Sequence, residues 1–89
     1  MSWMVYLLQC SDGSYYTGIT NNLKDRLERH STGRGAKYTK IRMPVKLVLV
    51  IPVQNQAKAM LKEKWLKHQN RDIKEKMMAE WSKASPKKG

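Results

Sequence analysis

The chain has 89 residues, room for one small domain, and a polypeptide of this size hides only about 60–65% of its unfolded surface on folding. Eighteen Lys+Arg against seven Asp+Glu give a formal net charge of +11, an excess that attracts polyanions and makes nucleic acid the leading partner class. The single cysteine, Cys10, excludes an internal disulfide and a cysteine-rich zinc site, and no stretch nears the ~18 apolar residues of a membrane span, so a cytoplasmic monomer with no membrane attachment is expected.

The first predicted elements are two strands, near 4–9 and 14–19, rich in aromatic and β-branched residues and parted by the turn signal Ser11-Asp12-Gly13. Loop length sets their register. A two-residue loop at Asp12-Gly13 pairs Tyr6 with Ile19 and sends Tyr6 and Tyr16 to opposite faces. A three-residue loop with Gly13 in the left-handed conformation pairs Tyr6 with Gly18 and Leu8 with Tyr16, placing both phenols on one face. The second register is favoured, because rings around a glycine-sized gap suit a polar pocket in which Gly18 leaves a ligand room beside Tyr6.

Asn22 can then cap a helix over about 23–31, with Asp25 in its first turn, Leu23 and Leu27 as its buried stripe, and Gly33 and Gly35 beyond its end. Arg26 and His30, at i and i+4, share one face of it. From residue 29 to residue 62 there is no carboxylate, while Arg34, Lys37, Lys40, Arg42 and Lys46 crowd one connection. A patch of one sign fits a phosphate backbone, and Tyr38 within it offers a ring for stacking on a base.

The run "KLVLVI", residues 46–51, reads as a strand covered on both faces. A helix over 56–68 carries Ala57, Met60, Leu61 and Trp65 as its core stripe. Asn70 breaks and caps, and a last helix over 71–82 repeats the pattern with Ile73, Met77 and Trp81. The expected fold is α+β, a small three-stranded antiparallel sheet flanked by helices in the order β-β-α-β-α-α. It forms one domain over residues 1–82, with 83–89 as a basic, disordered tail.

These residues resemble the GIY-YIG nuclease superfamily, particularly its small single-domain bacterial members of the YhbQ type. Met4-Val5-Tyr6 stands at the first motif, with Met4 in place of the glycine, and Tyr16-Thr17-Gly18 at the second. "DRLERH", residues 25–30, is similar to the family helix that carries an arginine and, four residues later, a histidine or tyrosine. "GRGAKYTKIRMPVKLV", residues 33–48, is similar to the small-member loop into the third strand. "AMLKEKWLK" supplies Glu63 at the place of the family's metal-binding glutamate, while Ile19 stands where some repair members carry a lysine.

The resemblance implies a metal-dependent DNA endonuclease with little sequence preference, acting on branched or damaged DNA in repair. Its site would comprise Tyr6, Tyr16, Arg26, His30 and Glu63. Glu63 would hold one Mg²⁺ or Mn²⁺, a hard cation that keeps most of its waters, polarises the phosphoryl oxygen and steadies the leaving group. Arg26 would offer its donor fork to the phosphate; Tyr6 or Tyr16 would act as general base, Tyr6 being preferred, with Tyr16 then positioning phosphate or sharing the proton path; and His30 would assist a tyrosine or relay a proton. Gly18, Arg34, Lys37, Tyr38, Lys40 and Arg42 would contact nucleic acid. The alternatives are a binding module on the same fold without turnover, for which Met4 and Ile19 speak, and a basic adaptor.

Overall fold

The computed structural model describes residues 2–84, so the part of the expected tail from residue 85 on lies outside the described residues. Strand β1, Trp3–Gln9, buries four successive side chains, Val5, Tyr6, Leu7 and Leu8, and therefore has both faces covered. It is the central strand of a three-stranded antiparallel sheet in the order β2-β1-β3. Strand β3, Lys46–Val53, lies at an edge, and its one fully buried residue is Leu49. The expectation that "KLVLVI" is the doubly covered strand is thus corrected. Pro52, opposite Met4 within β3, fits an edge, where a missing N–H breaks no second ladder.

β2, Tyr15–Thr20, joins β1 through Ser11-Asp12-Gly13. The Cys10 N–H donates to the Ser14 carbonyl at 2.8 Å, the Gly13 N–H to the Cys10 carbonyl at 2.9 Å, and Gly13 has φ +85°, the three-residue bulged loop. The register follows as expected, Tyr6 opposite Gly18 and Leu8 opposite Tyr16.

Helix α1, Leu23–Ser31, is capped by Asn22, whose side chain accepts from the Asp25 N–H at 3.1 Å. Its fully buried residue is His30, while Leu23 and Leu27 are half-buried. The basic connection, to which the sequence assigned no element, contains a one-turn helix α2, Lys37–Lys40, with Thr39 turned inward. Helix α3, Gln56–Lys67, is capped by Asn55, and α4, Arg71–Ala84, by Asn70, which accepts from the Ile73 N–H at 2.9 Å. The last helix therefore runs through Lys83 and Ala84, two residues expected in the tail.

The two faces of the sheet differ in chemistry. Val5, Leu7 and Leu49 join Ala59 and Leu66 of α3 in the apolar core, with Ile19, Ile51, Met77, Met78 and Trp81 packed around them. The alternate residues, Tyr6, Leu8, Tyr16 and Gly18, share the other face by the strand period. On α3 the expected stripe fails: Met60 and Trp65 are exposed, Leu61 is 71% exposed, and the buried positions are Ala59 and Leu66. Six of the eight non-lysine residues of α3 are apolar, so periodicity left two candidate stripes, and the small Ala59 seats the helix against the sheet. Ile73 of α4 is likewise exposed, and Met78 joins Met77 and Trp81 on the packed side.

Candidate active site

Tyr6 lies at the heart of the second face and is 1% exposed. Its hydroxyl meets His30 Nε2 at 3.1 Å, and His30 Nδ1 meets Thr39 Oγ1 at 2.8 Å. Tyr16 completes a ring cluster, its centroid 6.3 Å from Tyr6 and 5.4 Å from His30. The sequence order of strand, strand and helix thus brings three rings together from residues 6, 16 and 30. Gly18 is part of this mould: a Cβ there would lie 2.5 Å from Tyr6 Cζ and Oη. The gap expected to admit a ligand beside Tyr6 is filled by the Tyr6 ring itself.

Arg26 and Glu63 flank the rings. Arg26 sits one turn before His30 on α1, half-buried, and its Nε is a buried donor with no protein partner. Glu63 belongs to the inward stripe of α3, at i+4 from Ala59 and three before Leu66, which is why its side chain is only 23% exposed among so many lysines. Lys67 approaches it at 3.5 Å.

The electrostatics follow from burial. Desolvation chiefly, then Tyr16 and Glu63, push the Tyr6 phenol above its ordinary range against the opposing pull of Arg26. Burial and then Glu63 raise the Tyr16 phenol in the same way, again opposed by Arg26. Burial first and Arg26 second hold His30 below 6.5, so its imidazole is neutral at neutral pH. At rest the site therefore holds two protonated phenols and an uncharged imidazole, flanked by Arg26 and Glu63.

Among the described residues no three His, Cys, Asp or Glu side chains gather as a closed metal cage. Glu63 offers a single hard oxygen ligand, the kind that would hold a divalent cation keeping most of its waters, while the cationic Arg26 is no metal ligand. A single such ligand does not fit a structural zinc.

The basic connection divides into braces and open cations. Arg42 is engaged internally: its Nε donates to Asp12 at 3.0 Å, Nη1 to the Tyr38 carbonyl at 3.0 Å, and its guanidinium covers the Tyr38 ring at 3.9 Å. Tyr38 also faces Tyr16 at 6.1 Å, so its ring extends the cluster instead of lying free. Arg34 Nε donates to Thr32 Oγ1 at 3.1 Å. Lys37 and Lys40 are exposed and pair with no carboxylate among the described residues.

Sequence reasoning missed Gly35 and Thr39. A Cβ on Gly35 would overlap the His30 ring, and Thr39, fully buried, is the partner of Nδ1. Their one signal was the Gly-Ala-Lys-Tyr-Thr run itself, noted there as a landmark.

A single-sheet α+β domain with two tyrosines, one from each hairpin arm, facing an arginine–histidine helix is what the GIY-YIG fold provides. The chain matches the family described as "GIY-YIG catalytic domain" over residues 2–77, and it belongs to that family. Within it, the chain is similar to the group of small proteins called UPF0213: it is 47% identical over 73 residues to the UPF0213 protein of Bacillus cereus, spanning 82% of this chain and 76% of that one. The solution NMR structure of the UPF0213 protein BH0048 from Bacillus halodurans is similar at TM-score 0.56 and 40% identity, covering 89% of this chain and 84% of that one. That of the protein EF2693 from E. faecalis is similar at TM-score 0.63 and 31% identity, covering 100% of this chain and 95% of that one. No helix among the described residues is long and apolar enough to cross a membrane.

Proposed function

We propose that the protein is a divalent-metal-dependent endonuclease that hydrolyses DNA phosphodiester bonds with little sequence preference, branched or damaged DNA being the class of substrate the family resemblance points to. The observation that carries this reading is the buried, unpartnered Nε of Arg26 beside two phenols and a carboxylate. A buried donor left open costs about 1–3 kcal/mol, and an anionic oxygen of the substrate is the natural acceptor.

In this reading Glu63 would hold one Mg²⁺ or Mn²⁺, which when bound would withdraw charge from the phosphate and steady the departing oxygen. Arg26 directs its donors at the phosphate, where they gain most as negative charge builds. Tyr6 takes the proton of the attacking water as it passes its own to His30 Nε2, the nitrogen it already touches. The raised phenol and the lowered imidazole both oppose this transfer at rest, so it proceeds in concert with the loss of the water's proton to the phenol oxygen. Burial keeps bulk water from the Tyr6–His30 pair. Tyr16, the more open phenol, orients the phosphate. Lys37 and Lys40, exposed together on the single turn of α2, hold the backbone without reading bases.

The test is cleavage of labelled single-stranded, duplex and branched DNA in Mn²⁺, with Glu63→Ala as control. The expected result is cutting by the native protein and loss of cutting with retained binding in the variant. Binding without cutting under every condition would leave a nucleic-acid-binding module in its place.

A further inference from the structure

We infer that Thr39 is a positioning residue whose hydroxyl fixes His30 in the one neutral tautomer able to receive a proton from Tyr6. The geometry stands by itself; its catalytic consequence rests on the hydrolytic reading above.

A threonine hydroxyl carries one hydrogen. Thr39 Oγ1 lies 2.9 Å from the Ala36 carbonyl, which can only accept, so the hydrogen points there. Toward His30 Nδ1, at 2.8 Å, the hydroxyl can then offer only a lone pair, and Nδ1 must donate. A neutral imidazole with its proton on Nδ1 has a bare Nε2, and that nitrogen meets the Tyr6 hydroxyl at 3.1 Å. The direction of all three bonds is thereby set: Tyr6 to His30, His30 to Thr39, Thr39 to the Ala36 carbonyl. The opposite tautomer would face Tyr6 with an N–H and make the phenol an acceptor, unable to give its proton away.

The chain of bonds ends on a carbonyl, so it stores a proton and does not conduct one. When the Tyr6 O–H bond breaks and an Nε2–H bond forms, the electron pair stays on the phenol oxygen, which takes a proton of the attacking water in the same step. The new imidazolium keeps both N–H groups bonded, one to Thr39 and one to Tyr6. The groups facing His30 are Arg26 from its own helix, Tyr6 from β1 and Tyr16 from β2, while α2 and the loop before it contribute only uncharged Gly35 and Thr39. Gly35 brings its backbone against the ring, where a side chain would displace His30 from Thr39. Full burial of Thr39 and His30 keeps water from replacing either bond.

Nitrogen-15 NMR of histidine-labelled protein reads the tautomer directly, and a His68→Gln background leaves one histidine in view. The native ring is expected to carry its proton on Nδ1. Thr39→Val, close in volume but without a hydroxyl, should move part of the population to Nε2, shift the acidic limb of the kcat profile, and lower kcat on the order of 10-fold or more with KM nearly unchanged. Thr39→Ser should restore all three readouts. A native ring protonated on Nε2 would overturn the inference, as would a Thr39→Val protein with its proton still on Nδ1 and an unaltered profile. Should Thr39→Val fail to fold, the native spectrum alone decides. Absence of cleavage by the native protein would sink the hydrolytic reading and leave the tautomer result standing.

Discussion

The sheet has one face that is interchangeable and one that is not. Beneath α3 and α4, Val5, Leu7, Leu49, Ala59 and Leu66 pack by volume and apolarity, with Met77, Met78 and Trp81 filling the margins. On the opposite face the inward residues of α1 and α2 are polar, His30 and Thr39, and His30 meets Tyr6 at 3.1 Å and Thr39 at 2.8 Å through directed bonds. Packing by volume tolerates a methylene misplaced, because neighbours can relax. Hydrogen bonds between buried groups do not, since each lost partner strands a donor or acceptor away from water. The difference teaches that one side of the central strand is held by volume and the other by directed bonds, with Glu63 of α3 reaching in from the apolar side, and substitutions away from that helix should separate the two.

The largest expected effect lies on the apolar face. Leu49→Ala removes a buried side chain of β3, away from α3 and Glu63, and should cost about 2–5 kcal/mol of unfolding free energy, read from urea midpoints. The rate per folded molecule should stay as it was. A large fall in that rate would show that the two faces are not separable. Next comes Gly18→Ala, which drives a methyl into the Tyr6 phenol. A displacement of about 1 Å at a reacting group costs on the order of 100-fold in rate, or roughly 2.7 kcal/mol of barrier, so cleavage should collapse while the cooperative unfolding transition persists. Retained cleavage would remove Tyr6 from the chemistry.

The smallest effect is a pH dependence. Burial and Arg26 hold the folded His30 below 6.5, its ordinary value. As pH falls through that value the unfolded chain binds the proton first, so stability is full above about pH 6.5 and declines below it, down through the folded pKa. Urea midpoints measured on both sides of that pH should show the decline in the native protein and a shallower one in His30→Gln. Equal slopes would mean that His30 is not held neutral by the fold.

Much of this was legible in the chain itself. Ser11-Asp12-Gly13 and the gap at Gly18 were enough to favour the hairpin register, because loop length and the two-residue strand period are local. Asn22 and Asn70 announced their helices for the same reason. Which strand sits in the middle was not legible: "KLVLVI" is the more apolar run, but a strand's place in a sheet is decided by partners far along the chain. On α3, two apolar stripes compete, and only contact with the sheet selects Ala59 and Leu66 and so turns Glu63 inward. Thr39 escaped notice because its meaning depends on a single turn, α2, that lifts it beneath His30.

The strand order has a consequence for how the molecule is made. β1 precedes both of its neighbours, yet only β2 is local to it; β3 closes the other edge after a detour through α1 and α2. On a ribosome the hairpin can zip as soon as it emerges, while the far edge of β1 stays unsealed until residues 46–53 arrive. That interval exposes an aliphatic strand to other nascent chains, and the run of cations translated within it supplies the mutual repulsion that keeps such encounters brief.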